Sequence, residues 1–322
     1  MARDVPARPG LGSPAVRKMA ASVLLIALAG VAAGCKEVPT QGAAPAAPAG
    51  ACSAPKAAPS GPITITSGGL QRTYLLAVPD PPPTKPARVI VNLHGAGSDA
   101  AEQAIYSGLA VEGPARGFVV ATPDATGQPK QWNVIGETKS DDVTFIHDML
   151  ADVADRACVD ETHVYATGMS SGAAMSSLLA CKDGAQFSVI APVSGVVFFP
   201  WECSEGPPVT VLSFHGTADP VLPYNGGPIL GVNSGFPYPG VAQGMAGWVD
   251  RAGCAETPTS TAVSAHVTLE QWTGCAPGTK VELYTVNGGG HTWPGAAIKV
   301  RLLGPTTDEI NATDIILDAF SK

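Results

Sequence analysis

Gly168-Met169-Ser170-Ser171-Gly172 follows a strand-like run, Thr162 to Thr167, and opens a helix-like one, Ala173 to Leu179. That order, strand then tight turn then helix, is the context a nucleophile elbow needs. Glycines at both ends let the backbone turn sharply without a Cβ in the way. They lift a serine hydroxyl to the head of a helix, where free N–H groups favour a developing anion. Ser170 is therefore a candidate attacking group. The pattern alone is common in a chain with 37 glycines among 322 residues, so its neighbours must decide its meaning.

Two later motifs each stand at the end of an apolar strand. Val209 to Phe214 reads as a continuous run of the kind buried in a parallel sheet, and it feeds His215-Gly216-Thr217-Ala218-Asp219-Pro220. Val281 to Val286, which alternates with Glu282 and Thr285, runs into Asn287-Gly288-Gly289-Gly290-His291-Thr292-Trp293-Pro294. The order Ser170, Asp219, His291 is the chain order of the α/β-hydrolases and differs from the orders of two other serine hydrolase architectures.

The three residue types act together. A serine hydroxyl is a weak nucleophile until an imidazole takes its proton, and a carboxylate on the other ring nitrogen fixes the imidazole's tautomer. An oxyanion hole completes the set. The N–H of Ser171 is one source, and the loop His94-Gly95-Ala96-Gly97-Ser98 after the strand Arg88 to Leu93 is another. Each well-placed donor is worth about 3 kcal/mol in such sites.

Longer stretches extend the match. The run from Asp141 to Gly195, the segments His215 to Pro220 and Gly288 to Gly295, and the early Gly69-Leu70-Gln71-Arg72-Thr73-Tyr74 resemble the secreted esterase family that groups feruloyl esterases with polyhydroxybutyrate depolymerases. The resemblance covers about Pro62 to Phe320. It implies an α/β-hydrolase fold with a mostly parallel central sheet and helices on both faces, and a serine carboxylic ester hydrolase working through an acyl-enzyme. Ser170 is then the nucleophile, Asp219 the orienting acid and His291 the base. Ser171, Gly95 and Ala96 supply the oxyanion hole. Trp132, Asn133 and Trp293 fall where the family lines its acyl site. No cofactor is implied.

The N-terminus points to export. A basic start (Arg3, Arg8, Arg17, Lys18) precedes an apolar run from Ala20 to Ala33, too short to span a bilayer permanently. Val31-Ala32-Ala33-Gly34-Cys35 resembles a bacterial lipobox with Ala32 where leucine is usual, so residues 1–34 are expected to be a lipoprotein-type signal peptide and Cys35 the lipidated residue. Plain secretion with cleavage elsewhere is the alternative. Residues 35–61, rich in Ala and Pro, bury no core and read as a tether, and residues 62–322 as one catalytic domain.

Six cysteines remain, an even number suited to an oxidising compartment and open to 15 pairings. Cys254 follows a predicted helix, Gly240 to Ala252, and Cys275 ends a predicted strand, Val263 to Trp272, which makes them the first choice of bridge, worth roughly 3 kcal/mol. Cys181 with Cys203 and Cys52 with Cys158 follow only by elimination. No Cys/His spacing resembles a zinc site, so no metal is expected.

The whole chain carries a net charge of −8; removing residues 1–34 takes four of 19 basic and one of 27 acidic groups and leaves −11. That argues against nucleic acid and anionic polymers as partners. The expected partner is a small ester or an ester-decorated polymer, with membrane contact only through a lipid on Cys35 and no obligate protein partner.

Several residues have plainer readings. Asp141-Asp142 begins the helix Asp141 to Asp155, where apolar Val143, Ile146, Leu150 and Val153 fall at helical spacing, so capping and helix-dipole stabilisation account for the pair. His94 and His215 precede glycines at strand ends and read as loop scaffolding; His147, His163 and His266 read as structural or exposed. Trp132 and Trp293 suit either core or substrate contact. Phe198-Phe199-Pro200-Trp201 either walls an acyl pocket or packs beneath a loop. Asn311 reads as the cap of the last helix. Two other functions share the pattern: a serine peptidase of this fold, and a surface binding protein without catalysis. Esterase chemistry leaves open hydroxycinnamate, acetyl and hydroxyalkanoate esters.

Overall fold

The computed structural model describes residues 60–136, 140–200, 202–203, 206–230 and 237–322. The expected signal peptide and residues 35–59 of the expected tether, with Cys35 and Cys52, lie outside that range, and Gly61 at the tether's expected end already opens the first strand. In chain order the elements are β1 (Gly61–Ser67), β2 (Leu70–Ala77), β3 (Ala87–Leu93), α1 (Ala100–Ser107), α2 (Leu109–Ala115), β4 (Val119–Pro123), α3 (Asp142–Arg156) and β5 (Val159–Met169). Then come α4 (Ser171–Lys182), β6 (Val189–Val193), β7 (Thr210–Gly216), α5 (Val241–Ala252), β8 (Thr259–Ala262), β9 (Val267–Trp272), β10 (Val281–Val286) and α6 (Ala312–Phe320).

The strands form one sheet in the order β1-β2-β4-β3-β5-β6-β7-β10-β9-β8. Its centre, from β4 to β10, is parallel throughout. Antiparallel hairpins close both edges. Alternation along the strands explains why helices cover both faces. In β3, Val89, Val91 and Leu93 enter one core with Phe145 of α3, Met175 and Leu178 of α4 and Trp248 of α5. Ile90 enters the other with Leu109 of α2 and Ile316, Leu317 and Phe320 of α6. A strand buried on both faces has no polar side to display, which is why these runs read as continuous apolar stretches.

Parallel strands put all their C-terminal ends on one edge, and the loops that follow β3, β5, β6, β7 and β10 gather there. Three differences from the sequence-based elements matter. β7 runs on to Gly216, so His215 is a strand residue and not a loop residue. The expected strand Val263 to Trp272 starts only at Val267: Val263 and Ser264, whose N–H groups bond Val267 O, belong to the turn between β8 and β9. Helix α1 was not anticipated, although its signal was present: Asp99 caps it by accepting from Glu102 N–H.

Disulfides join Cys181 to Cys203 and Cys254 to Cys275. Cys158 is also disulfide-bonded, and the Cys52 half of the expected Cys52–Cys158 pair lies outside the described residues. Among those residues no helix is long and apolar enough to cross a membrane.

Candidate active site

Ser170 sits between β5 and α4 with φ 58° and ψ −120°, a conformation costly for a residue with a Cβ. The flanking glycines hold it there for a steric reason. A Cβ on Gly168 would meet Leu93 O at 2.5 Å, and one on Gly172 would meet Leu93 O at 2.2 Å and His94 O at 2.6 Å. The turn is thus pressed against the end of β3. Its position is pinned by Ser170 N–H donating to Val193 O of β6 at 3.0 Å.

That same end of β3 starts the loop from His94. A Cβ on Gly95 would stand 3.4 Å from the Ser170 Cβ, so this loop borders the serine directly. His94 is fully buried and works as loop scaffolding. Its Nδ1 bonds Gly95 O at 2.7 Å, and its Nε2 accepts from Ala125 N–H at 3.0 Å. Burial is the main influence on its ring and pushes its pKa down, against opposing contributions from the Gly95 carbonyl and Asp124. Ser171, the first residue of α4, has no intrahelical acceptor for its N–H; its Oγ is buried without a hydrogen-bond partner.

Gly216 and Gly290 bring the acid and the imidazole together. A Cβ on Gly216 would meet Gly289 O at 2.2 Å, and one on Gly290 would meet Leu303 O at 2.2 Å. With both positions bare, Ala218 N–H reaches Gly289 O and His291 N–H reaches Leu303 O. His291 Nδ1 then lies 2.7 Å from Asp219 Oδ2. Oδ1 of the same carboxylate accepts from the N–H groups of Val221 and Leu222, both at 2.8 Å. Burial alone would raise this carboxyl's pKa. Hydrogen bonds from His215 and His291, the charge of His291 and the Leu222 N–H overcome that and hold it far below the usual carboxylate range.

Ser170 and His291 are linked through β6. Next to Val193, Ser194 takes φ 52°, and its Oγ donates to Thr292 O at 3.2 Å. Among the described residues the Ser170 hydroxyl, half-buried at the elbow, makes no hydrogen bond.

The expected acyl-site residues are placed differently. Trp293 is wholly buried and its indole N–H donates to Thr313 at 2.9 Å, so it packs α6 into the core and does not face a cleft. Trp132 is buried too, and its indole N–H donates to His94 O at 2.8 Å. Asn133 donates its N–H to Asp142 Oδ2 at 2.7 Å and its Nδ2 to Ser140 O. The Trp132 side chain therefore braces the loop beside Ser170, whereas Asn133 ties its own segment to the start of α3. Phe198 packs edge-on against Trp248 of α5, and Phe199 is buried; Trp201 lies outside the described residues.

Asp141 caps α3 by accepting from Thr144 N–H, as its position suggested. Asp142 does not serve the helix dipole alone. It is buried and pairs with Arg72 Nη2 at 2.8 Å, and that guanidinium lies 3.8 Å from the Phe145 ring centroid. His215, read from the sequence as loop scaffolding, and Ser194 take roles that depend on contacts between distant strand ends. Among the described residues no cluster of side chains is suited to hold a metal ion.

Sheet order, elbow and the His291–Asp219 pair define the fold as that of an α/β-hydrolase. A solved acetyl xylan esterase from Aspergillus awamori shares it, with a TM-score of 0.58 at 15% identity over 81% of this chain and 98% of that one. In sequence the chain is similar to feruloyl esterase B of Piromyces equi, 31% identical over 217 residues, which is 64% of this chain and 40% of that protein. It is also similar to feruloyl esterase C of Emericella nidulans, 34% identical over 176 residues, 52% of this chain and 63% of that protein. The chain thus spans less than two thirds of each of these relatives. No protein-family model matches it.

Proposed function

We propose that this protein is a serine carboxylic ester hydrolase of the feruloyl esterase type, acting on esters of plant polysaccharides through an acyl-enzyme. The observation that carries the reading is the buried His291–Asp219 hydrogen bond at the strand edge that also holds the Ser170 elbow. Similarity to two feruloyl esterases supports the substrate class.

In this reading Ser170 Oγ attacks the ester carbonyl carbon while His291 Nε2 takes its proton, and Asp219 steadies the resulting imidazolium. The carbonyl oxygen becomes an oxyanion, met by the N–H of Ser171 and those of Gly95 and Ala96. Collapse of the tetrahedral intermediate breaks the bond to the alcohol oxygen, which leaves with the proton from His291. Water then attacks the acyl-Ser170 ester by the same route, releasing the acid and restoring the serine. The wider assignment places the enzyme outside the cytoplasm, held by a lipid on Cys35 and an Ala/Pro-rich tether.

The test is turnover of p-nitrophenyl acetate, methyl ferulate, acetylated xylan, hydroxybutyrate oligomers and a peptide anilide by the parent and by Ser170→Ala. Ferulate hydrolysis that drops at least about 10⁴-fold in the variant supports the reading. Preference for hydroxybutyrate oligomers moves the substrate class to hydroxyalkanoates, and anilide cleavage without ester turnover makes it a peptidase. No turnover of any substrate leaves a binding protein.

A further inference from the structure

His215 is wholly buried at the end of β7, yet no step of the reaction described above uses it. Its Nε2 bonds Leu222 O at 2.9 Å and lies 3.2 Å from Asp219 Oδ2. Both are oxygens, so the ring proton sits on Nε2. Its Nδ1 is buried with no hydrogen-bond partner. The ring is stacked on Tyr238 with centroids 5.8 Å apart and meets Tyr224 edge-on at the same separation. Tyr238 is itself fixed by donating to Val196 O, and Tyr224 bonds Thr285 of β10. An imidazole with one nitrogen left unpaired in the interior is an expensive way to fill space. What it obtains in return is a ring N–H 3.2 Å from the oxygen that receives His291.

We propose that His215 is a positioning residue for the Asp219 carboxylate: its Nε2–H, bonded to Leu222 O and 3.2 Å from Oδ2, sets both the direction and the basicity of the oxygen that orients His291. This rests on the ester hydrolase reading of the site. Oδ1 is held by the Val221 and Leu222 N–H groups and Oδ2 by His291, and the His215 N–H beside Oδ2 restrains the carboxylate further. It also withdraws negative charge from the oxygen facing His291. Without it, Oδ2 attracts a proton on His291 more strongly, and the imidazole is protonated at higher pH. The other ionisable groups packed on this cluster are Tyr224 and Tyr238, with Glu270 of β9 acting on Tyr224. Burial pushes both phenols upward, so neither changes charge where histidines titrate.

The full chain carrying His215→Gln, His215→Phe or His215→Asn tests this. A Gln amide can place its NH₂ near the imidazole Nε2, whereas Asn falls short and Phe has no donor. Activity on p-nitrophenyl acetate is measured from about pH 5 to about pH 9, with folding checked by circular dichroism. In His215→Phe and His215→Asn, kcat falls about tenfold with KM little changed, and the acid limb of kcat/KM moves up by about one pH unit. His215→Gln returns the limb to the parent's position. A limb that stays put in Phe and Asn, or moves equally in all three, overturns the proposal. The two disabling variants differ in size and polarity, so unfolding of one leaves the other to decide. The downfield Nδ1–H resonance of His291 gives a reading without turnover: it shifts in Phe and Asn and is kept in Gln. If the parent shows no Ser170-dependent hydrolysis, the ester hydrolase reading fails, and this resonance still decides whether His215 tunes the Asp219–His291 bond.

Discussion

Nδ1 of His291 lies 2.7 Å from Oδ2 of Asp219, 72 residues earlier in the chain, and both side chains are buried. The carboxylate is fully provided with donors, so changing it to an amide reverses one bond and keeps the shape. Asp219→Asn can present its NH₂ to Nδ1 and favour the wrong imidazole tautomer. We expect kcat on p-nitrophenyl acetate to fall by about 10⁴-fold with KM nearly unchanged. A loss below tenfold would take Asp219 out of the orienting role.

The depressed carboxyl also sets a pH dependence. Asp219 remains ionised across the working range, so the acid limb of kcat/KM reports a single proton, the one gained by the imidazole. For stability the sign is that of a lowered acid. The contribution is full above the unfolded carboxyl's value of about 3.9 and fades as pH falls below it. Urea unfolding at several pH values should show the gap between parent and Asp219→Asn closing as pH falls from about 4 into stronger acid. A gap that stays open there contradicts the assignment.

Ser170 and Ser171 are neighbours with opposite sensitivities. Ser170→Ala removes the attacking oxygen, whereas Ser171→Ala keeps the backbone N–H and deletes a hydroxyl that is buried without a partner. The second variant should retain activity within about tenfold and gain up to about 1 kcal/mol in stability, read by thermal melting. Equal losses at both positions would mean that the Ser171 hydroxyl itself takes part.

Arg72 and Asp142 form a pair with 3% and 0% of their side chains exposed. Removing one partner strands a buried charge. Asp142→Ala should cost about 3–5 kcal/mol in urea unfolding, and the joint change Arg72→Met with Asp142→Leu considerably less. Because Asp142 also receives Asn133 N–H beside Trp132, Asp142→Ala should lower kcat as the loop next to Ser170 loosens. Double-variant losses equal to the sum of the singles would remove the coupling.

Attachment is tested at Cys35. If a lipid there holds the enzyme at a membrane, Cys35→Ser releases active enzyme into the soluble fraction. Soluble wild-type protein whose first residue by mass spectrometry is not Cys35 makes plain secretion the answer.

The elbow, the strand-end Asp219 and the glycine-loop His291 were legible in the sequence because each depends on local rules. Glycine where a Cβ has no room, an apolar run before each site and a fixed chain order all lie within a few residues of the group they mark. The parallel centre of the sheet was legible for the same reason, since strands buried on both faces are apolar at every position. Helix α1 escaped because it is short, although its Asp99 cap was in view.

What tertiary structure alone decided is which polar groups share an interior. Trp132 and Trp293 are aromatic residues beside functional motifs, and nothing in their spacing says that their indole N–H groups go to His94 O and Thr313. The sequence places His215 four residues before Asp219 but does not reveal that β7 continues through it, or that Tyr224 and Tyr238 close around its ring. Local sequence determines backbone conformation and the side each residue faces. A buried polar atom takes whichever partner the packing of distant segments brings within about 3 Å, and that choice appears only when the strands are assembled.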